Sequence, residues 1–194
     1  EDKNGNGTIE TSRDLNNDKV IDKNTEMLPF GTDECVKWVQ KTSGVPGNSS
    51  SATRARALGV DQGSHAWVGL WESKQLVRLE PQTGTITQSV SIPAQPYGLT
   101  IDQQGIVWVS GRGGGVLVRM DPNTNQVQSF TPGGGYSPYG IAVDEFGRIW
   151  TPQLGGSDAV WMFDPKTNGW KSIAIPPRGR GVVANGDGRL FVAC

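Results

Sequence analysis

Between residues 2 and 26, side chains that offer a hard oxygen stand at alternate positions in two consecutive frames. The first frame places Asp2, Asn4 and Asn6 at positions 1, 3 and 5, Gly7 at position 6, Thr8 at position 7 and Ile9 at position 8. The second begins 12 residues on, with Asp14, and continues through Asn16, Asp18, Lys19, Val20 and Ile21 to Asp22 and Glu26. Calcium takes six to eight oxygens at roughly 2.3 to 2.6 Å, and a loop with acids or amides at positions 1, 3 and 5 supplies three of them. A backbone carbonyl at position 7 adds another, from Thr8 and Val20. Glycine at position 6 permits the sharp turn, where the second frame has Lys19. An apolar residue at position 8 is expected to anchor each loop. Position 12 is Arg13 in one frame and Thr25 in the other, so Asp14 and Glu26, one place later, are expected to close the spheres. The expected metal ligands are therefore Asp2, Asn4, Asn6, Thr8, Asp14, Asn16, Asp18, Val20, Asp22 and Glu26, with Ca2+ as the cofactor. A segment this hydrophilic would be a disordered linker without metal; recurrence of the spacing at a 12-residue offset favours the metal.

The elements that follow are ordered by a repeat. From residue 56 to the end, the same residue types return every 41 to 42 positions: Asp61, Asp102, Asp144 and Asn185 each stand six residues before Trp67, Trp108, Trp150 and Phe191. Within a unit, Gly98–Asp102 alternates apolar and polar, residues 103–105 turn, and Ile106–Ser110 returns as a second strand. Val116–Met120 and Gln126–Phe130 are the third and fourth strands, joined by Asp121-Pro122-Asn123-Thr124-Asn125. Glu80–Gly84 and Asp164–Asn168 repeat that turn, with proline presetting one backbone angle and Asn or Gly tolerating a left-handed one. Four strands in a period near 40 residues describe an all-β protein, a β-propeller of four-stranded blades. The tryptophans, at a fixed place on strand two, are expected to pack between neighbouring blades. Three blades are complete (56–96, 97–138 and 139–179) and 180–194 is a partial one. Residues 36–40 read as the outer strand of a preceding blade within a linker region 36–55, and residues 1–35 as a calcium-loop insertion. That phase suits a fragment of a longer polypeptide, or a chain that completes its ring with another copy.

Directly before strand one, the repeat aligns Arg56, Tyr97, Tyr139 and Arg180. In a closed propeller these positions converge near the central channel. They either pack the inner strands or line a mouth with two cations and two aromatic rings, which suits an anionic or carbohydrate ligand. The single histidine, His65, reads as a surface residue at the start of a second strand, and Gly111–Gly115 reads as a flexible hairpin lacking the Lys-Ser/Thr ending of a phosphate loop. Cys35 and Cys194 either bridge each other, or Cys35 pairs with a cysteine upstream of residue 1.

Composition narrows the classes. With 27 Gly, 12 Pro and a formal net charge of −1, the chain is turn-rich and has no strongly basic face, so nucleic acid is not expected as a partner. No apolar run is long enough for a helical membrane span.

The tandem, helix-free oxygen loops resemble the calcium loops of thrombospondin type 3 repeats and, in their first half, the EF-hand and dockerin loop. Loops of that weak type need millimolar metal, which implies an extracellular, periplasmic or cell-surface location. The blade sequences Pro96-Tyr97-Gly98-Leu99-Thr100 with Val107-Trp108-Val109, and Pro138-Tyr139-Gly140-Ile141-Ala142 with Ile149-Trp150, resemble the repeat of the virginiamycin B lyase group, related more loosely to NHL-repeat and gluconolactonase-type propellers. In the lyase, histidines precede the first-strand glycine and a glutamate stands three places beyond a second-strand tryptophan. The matching positions are Arg56, Tyr97, Tyr139 and Arg180 for the first, and Leu70, Gly111, Gln153 and Cys194 for the second, so no catalytic residue carries over. The expected function is a secreted, calcium-stabilised binding or assembly module that is not catalytic in this segment. The alternatives are a surface or filament protein with calcium-mediated contacts between copies, and a lyase or lactonase whose catalytic residues lie in other blades.

Overall fold

The structure is a computed structural model and describes residues 2–29, 31–42, 45, 54–155 and 158–194. It divides into two compact units, 1–41 with 82–85, and 42–81 with 86–194. The division falls at 41–42, six residues past the boundary the composition suggested, and most of the linker read over 42–53 lies outside the described residues.

The larger unit is built from antiparallel meanders. Strands β1 (Ala55–Val60), β2 (Ala66–Leu70), β3 (Gln75–Leu79) and β4 (Ile86–Ser91) form one four-stranded sheet in sequence order. The second comprises β5 (Gln95–Ile101), β6 (Val107–Arg112), β7 (Val116–Met120) and β8 (Val127–Phe130). The third comprises β9 (Ala142–Val143), β10 (Ile149–Pro152), β11 (Ala159–Asp164) and β12 (Gly169–Ala174). A hairpin of β13 (Gly181–Ala184) and β14 (Leu190–Ala193) follows. Three complete blades and the first half of another are thus present. At the third-to-fourth-strand turns, Gly84, Asn125 and Asn168 take φ of 71°, 59° and 54°, the left-handed backbone expected of these residue types.

The six-residue spacing between acid and aromatic has a direct cause. Asp102 accepts the Ile106 N–H at 3.0 Å with one carboxylate oxygen and the Trp108 indole N–H at 2.8 Å with the other. Asp144 treats Arg148 and Trp150 the same way, at 2.9 and 2.8 Å, and Asp61 does so for His65 and Trp67, at 2.9 and 3.3 Å. In the last repeat the aromatic is Phe191, which has no N–H to place. There the amide of Asn185 suffices, accepting only the Arg189 N–H at 2.8 Å. One carboxylate therefore ties the hairpin turn and sets the indole in its interblade slot.

Two of those indoles, Trp67 and Trp108, lie in the core, while Trp150 is half-buried. Trp67 is fully buried in a cluster with Leu99, Val107 and Val109 of the next blade, and Trp108 packs with Ile149 and Phe163 of the third. Gly59 admits this close approach, because a Cβ there would lie 2.4 Å from Leu99 Cδ2. Leu58 occupies the place in blade one that Leu99 holds in blade two, yet it is 66% exposed against 8%.

Three expectations are corrected. Residues 36–40 form no strand, since no neighbouring strand pairs with them among the described residues. Ile9 and Ile21 are 48% and 44% exposed and so do not anchor their loops by burial. Cys35 and Cys194 are free and exposed, so no bridge joins them.

Candidate functional site

The pairing of strands one and two brings the residues before strand one together. Between Ala55 and Ala57 the β1–β2 register shifts, leaving Arg56 as a bulged residue, and between Pro96 and Gly98 the β5–β6 register does the same for Tyr97. A bulge re-aims the side chain of the extra residue out of the sheet alternation. In blade three, Tyr139 follows the isolated Pro138–Gln153 bridge and donates its N–H to the Pro152 carbonyl at 3.0 Å. The buried Ser110 hydroxyl accepts from the Gly98 N–H at 2.8 Å and donates to the Tyr139 carbonyl at 2.6 Å, tying blade two to blade three beneath both tyrosines. Gly140 donates to the Arg180 carbonyl at 3.0 Å, and a Cβ on Gly140 would sit 2.4 Å from that oxygen, so glycine there is what admits Arg180 beside Tyr139.

All four expected mouth residues meet. The Tyr97 hydroxyl donates to that of Tyr139, with ring centroids 4.1 Å apart. The Arg56 guanidinium lies 5.0 Å from the Tyr97 centroid and 5.1 Å from that of Trp71, and Arg180 lies 5.7 Å from Tyr139. Arg112 joins them, 5.7 Å from Tyr97 and 5.3 Å from Tyr139. The result is a row of alternating π-faces and cations: Trp71, Arg56, Tyr97, Arg112, Tyr139, Arg180. Among the described residues none of these three arginines is in an ion pair; the guanidiniums that are paired belong to Arg54, Arg78, Arg148 and Arg189. The hydrogen bond from Tyr97 holds the Tyr139 phenol below the ordinary tyrosine range against the opposing effect of burial, and Arg180, Arg112 and Arg56 each add a lesser contribution in the same sense as that bond. Burial, and then donation of that bond, pushes Tyr97 up.

Trp71 and Arg112 were missed by the sequence reading. Both stand four residues beyond their strand-two tryptophan, at the same offset from Trp67 and Trp108. The signal was present in the repeat, but the two residues differ in type, and Arg112 sits inside a glycine run. Of the positions matched to the lyase glutamate, Leu70 is fully buried, Gln153 accepts the Trp161 indole N–H at 2.7 Å and donates to the Gly155 carbonyl at 3.0 Å, and Cys194 is exposed. His65 is half-buried in a turn network with Asp61 and Arg78, and so differs from the surface residue expected.

The N-terminal unit contains neither helix nor strand among its described residues and is organised by carboxylates. Asp2 accepts the Gly5, Asn6 and Gly7 N–H groups at 2.6, 3.2 and 2.6 Å, Asn4 accepts Asn6 at 3.0 Å, and Asn6 accepts Thr8 at 2.8 Å. Twelve residues later, Asp14 accepts Asp18 and Lys19 at 3.2 and 2.7 Å, Asn16 accepts Asp18 at 2.9 Å, and Asp18 accepts Val20 at 2.8 Å. Lys19 takes φ 71° where Gly7 has 82°, so a lysine occupies a left-handed turn position. Each frame is also clamped from outside. Buried Glu26 accepts the N–H groups of Leu15, Asn16 and Asp22 at 2.9, 3.1 and 2.9 Å, and buried Glu34 accepts those of Lys3, Asn4 and Glu10, the equivalent positions, at 2.6, 3.3 and 2.9 Å. Glu10 in turn accepts both side-chain amides, from Asn4 at 2.7 Å and Asn6 at 3.0 Å. Backbone donation holds Glu34 below the ordinary carboxylate range, the Glu10 N–H contributing most. Ser12, chiefly through its N–H, lowers Asp33 to about 2. The donor set is oxygen throughout, as calcium requires. Among the described residues no three His, Cys, Asp or Glu side chains converge enough to hold a metal on their own, so amide and backbone oxygens would have to contribute.

No protein-family model and no curated protein matches the chain. Solved structures do. Virginiamycin B lyase from Staphylococcus aureus superposes with a TM-score of 0.66 at 16% identity, over 75% of this chain and 50% of its own. The chain has a β-propeller fold similar to that of virginiamycin B lyase. Kuenenia stuttgartiensis hydrazine synthase matches with a TM-score of 0.67 at 16% identity, over 79% of this chain and 45% of its own. A proposed 6-phosphogluconolactonase of Bacteroides uniformis gives 0.63 at 12%, over 74% and 48%. The propeller chain spans about half the length of these structures. Among its described residues no helix is long and apolar enough to cross a membrane.

Proposed function

We propose that this propeller is a binding module, stabilised by calcium in its N-terminal loops, that takes an anionic ligand at the row formed by Arg56, Arg112 and Arg180 with Tyr97, Tyr139 and Trp71. The observation that carries the reading is the convergence of three guanidiniums that have no carboxylate partner among the described residues. Three unneutralised cations side by side repel one another, and aromatic faces relieve only part of that cost. An anion gripped in forked contacts relieves the rest. The tyrosine faces considered for sugar stacking are covered by guanidiniums, which favours the anionic ligand over a neutral carbohydrate. The residues at the lyase-equivalent positions, Arg56, Tyr97, Tyr139 and Arg180 in place of histidine and Leu70, Gly111 and Gln153 in place of glutamate, favour binding over turnover by this segment.

Calcium would be held by Asp2, Asn4, Asn6 and the Thr8 carbonyl in one loop, and by Asp14, Asn16, Asp18, the Val20 carbonyl and Asp22 in the other, with Glu26 and Glu34 acting as clamps that shape the loops. Calcium held there would supply positive charge to carboxylates that already accept backbone N–H groups, and so would balance their mutual repulsion. Weak loops of this kind suit an extracellular, periplasmic or cell-surface location.

Titration calorimetry of the chain with citrate tests the anion site. Binding that weakens at least about tenfold in an Arg56→Gln/Arg180→Gln double variant, with unchanged melting, supports it. Binding equal in the double variant and the native chain refutes it.

A further inference from the structure

We infer that the ligand of this row carries two or more carboxylates on one molecule, spread so that Arg56, Arg112 and Arg180 are engaged together, with Arg112 as the central contact. This rests on the anion-binding reading above. These guanidiniums lie 5.0 to 5.7 Å from the tyrosine centroids and have no ion-pair partner among the described residues, which leaves N–H donors to fork onto a carboxylate. Neighbouring cations share a ring: Arg56 and Arg112 both lie within 5.7 Å of the Tyr97 centroid, and Arg112 and Arg180 within 5.7 Å of the Tyr139 centroid. Arg112 therefore belongs to both halves of the row. A single carboxylate takes one fork and leaves the other cations uncompensated, whereas carboxylates linked on one molecule fill successive forks at high effective concentration.

The row has features that hold such a ligand in register. The bulges at Arg56 and Tyr97 and the Ser110 bridge between blades fix the backbone from which these side chains project. Guanidinium forks grip phosphate as well as carboxylate, so a polyphosphate is the competing ligand that the test includes. Two sources share the required chemistry, a small tricarboxylic acid and a short chain of uronic acid sugars.

Calorimetry of the full chain decides among them, with citrate, trigalacturonate, monomeric galacturonate, triphosphate and the neutral maltotriose. The expected result is that citrate or trigalacturonate binds at least about tenfold more tightly than monomeric galacturonate, with maltotriose silent. The stronger of the two identifies the source. Arg112→Gln, checked for unchanged melting, should erase most of that advantage while lowering galacturonate affinity less than about threefold. Galacturonate binding within threefold of both polycarboxylates overturns the inference and leaves the anion site standing, as does triphosphate outcompeting both. Absence of binding by every anion overturns the anion site itself.

Discussion

The two units hold their backbones by opposite means. In the N-terminal unit, backbone N–H groups are gathered by side-chain carboxylates: Asp2, Asp14, Glu26 and Glu34 each collect two or three. In the blades, backbone groups pair between strands and the stabilising area is the apolar slot between sheets, filled by Trp67 and Trp108. One unit is held by charge and is therefore expected to answer to pH and, if its oxygen loops take calcium as proposed, to metal. The other is held by packing and answers to volume.

The largest test of that contrast is Trp108→Ala. Loss of a fully buried indole between two blades should cost about 3 to 5 kcal/mol, read from urea unfolding of the propeller signal. A loss under about 1 kcal/mol would break the packing account. Next is calcium: metal at 100-fold above its Kd should stabilise the N-terminal unit by about 2.7 kcal/mol while leaving blade exchange protection unchanged. Hydrogen exchange at the Gly7 and Lys19 amides, with and without EDTA, separates the two units, and equal protection in both conditions would remove the metal.

Acid should act on the same unit. The folded Asp33 carboxyl lies at about 2, below its ordinary 3.8, so it favours the folded state when ionised. That contribution is complete above about 4 and is lost as pH falls towards about 2. Proteolysis of the N-terminal unit across this window should rise before the blade tryptophan signal changes. A smaller effect is expected from Lys19→Gly, which relieves a left-handed lysine and should stabilise by about 1 kcal/mol in thermal melts. The subtlest is spectroscopic: Tyr139 ionises below the ordinary range, and neutralising the arginines with a bound polycarboxylate should move its titration upward. An unshifted phenolate absorbance curve at saturating citrate would separate Tyr139 from the ligand.

Much of this was legible where a repeat exposed it. The spacing of Asp102 to Trp108 and its copies foretold the blades and the interblade tryptophans, and phase alone aligned Arg56, Tyr97, Tyr139 and Arg180. Trp71 and Arg112 share an offset but not a residue type, so the pattern concealed them. Glu34 stood outside the oxygen frames altogether. It clamps residues 3, 4 and 10 from more than twenty positions away, a distance at which no local spacing rule operates.

By itself, the sequence determined the blade period, the turn chemistry and the two oxygen frames, because each follows from residues a few positions apart whose backbone preferences and hydrogen bonds are local. Only the tertiary structure decided that three guanidiniums and three aromatic rings form one row and that Glu26 and Glu34 are equivalent clamps. Those relations depend on bulges at Arg56 and Tyr97, on the Ser110 bridge, and on chain segments brought together by folding, where through-space distance rather than sequence offset sets the interaction.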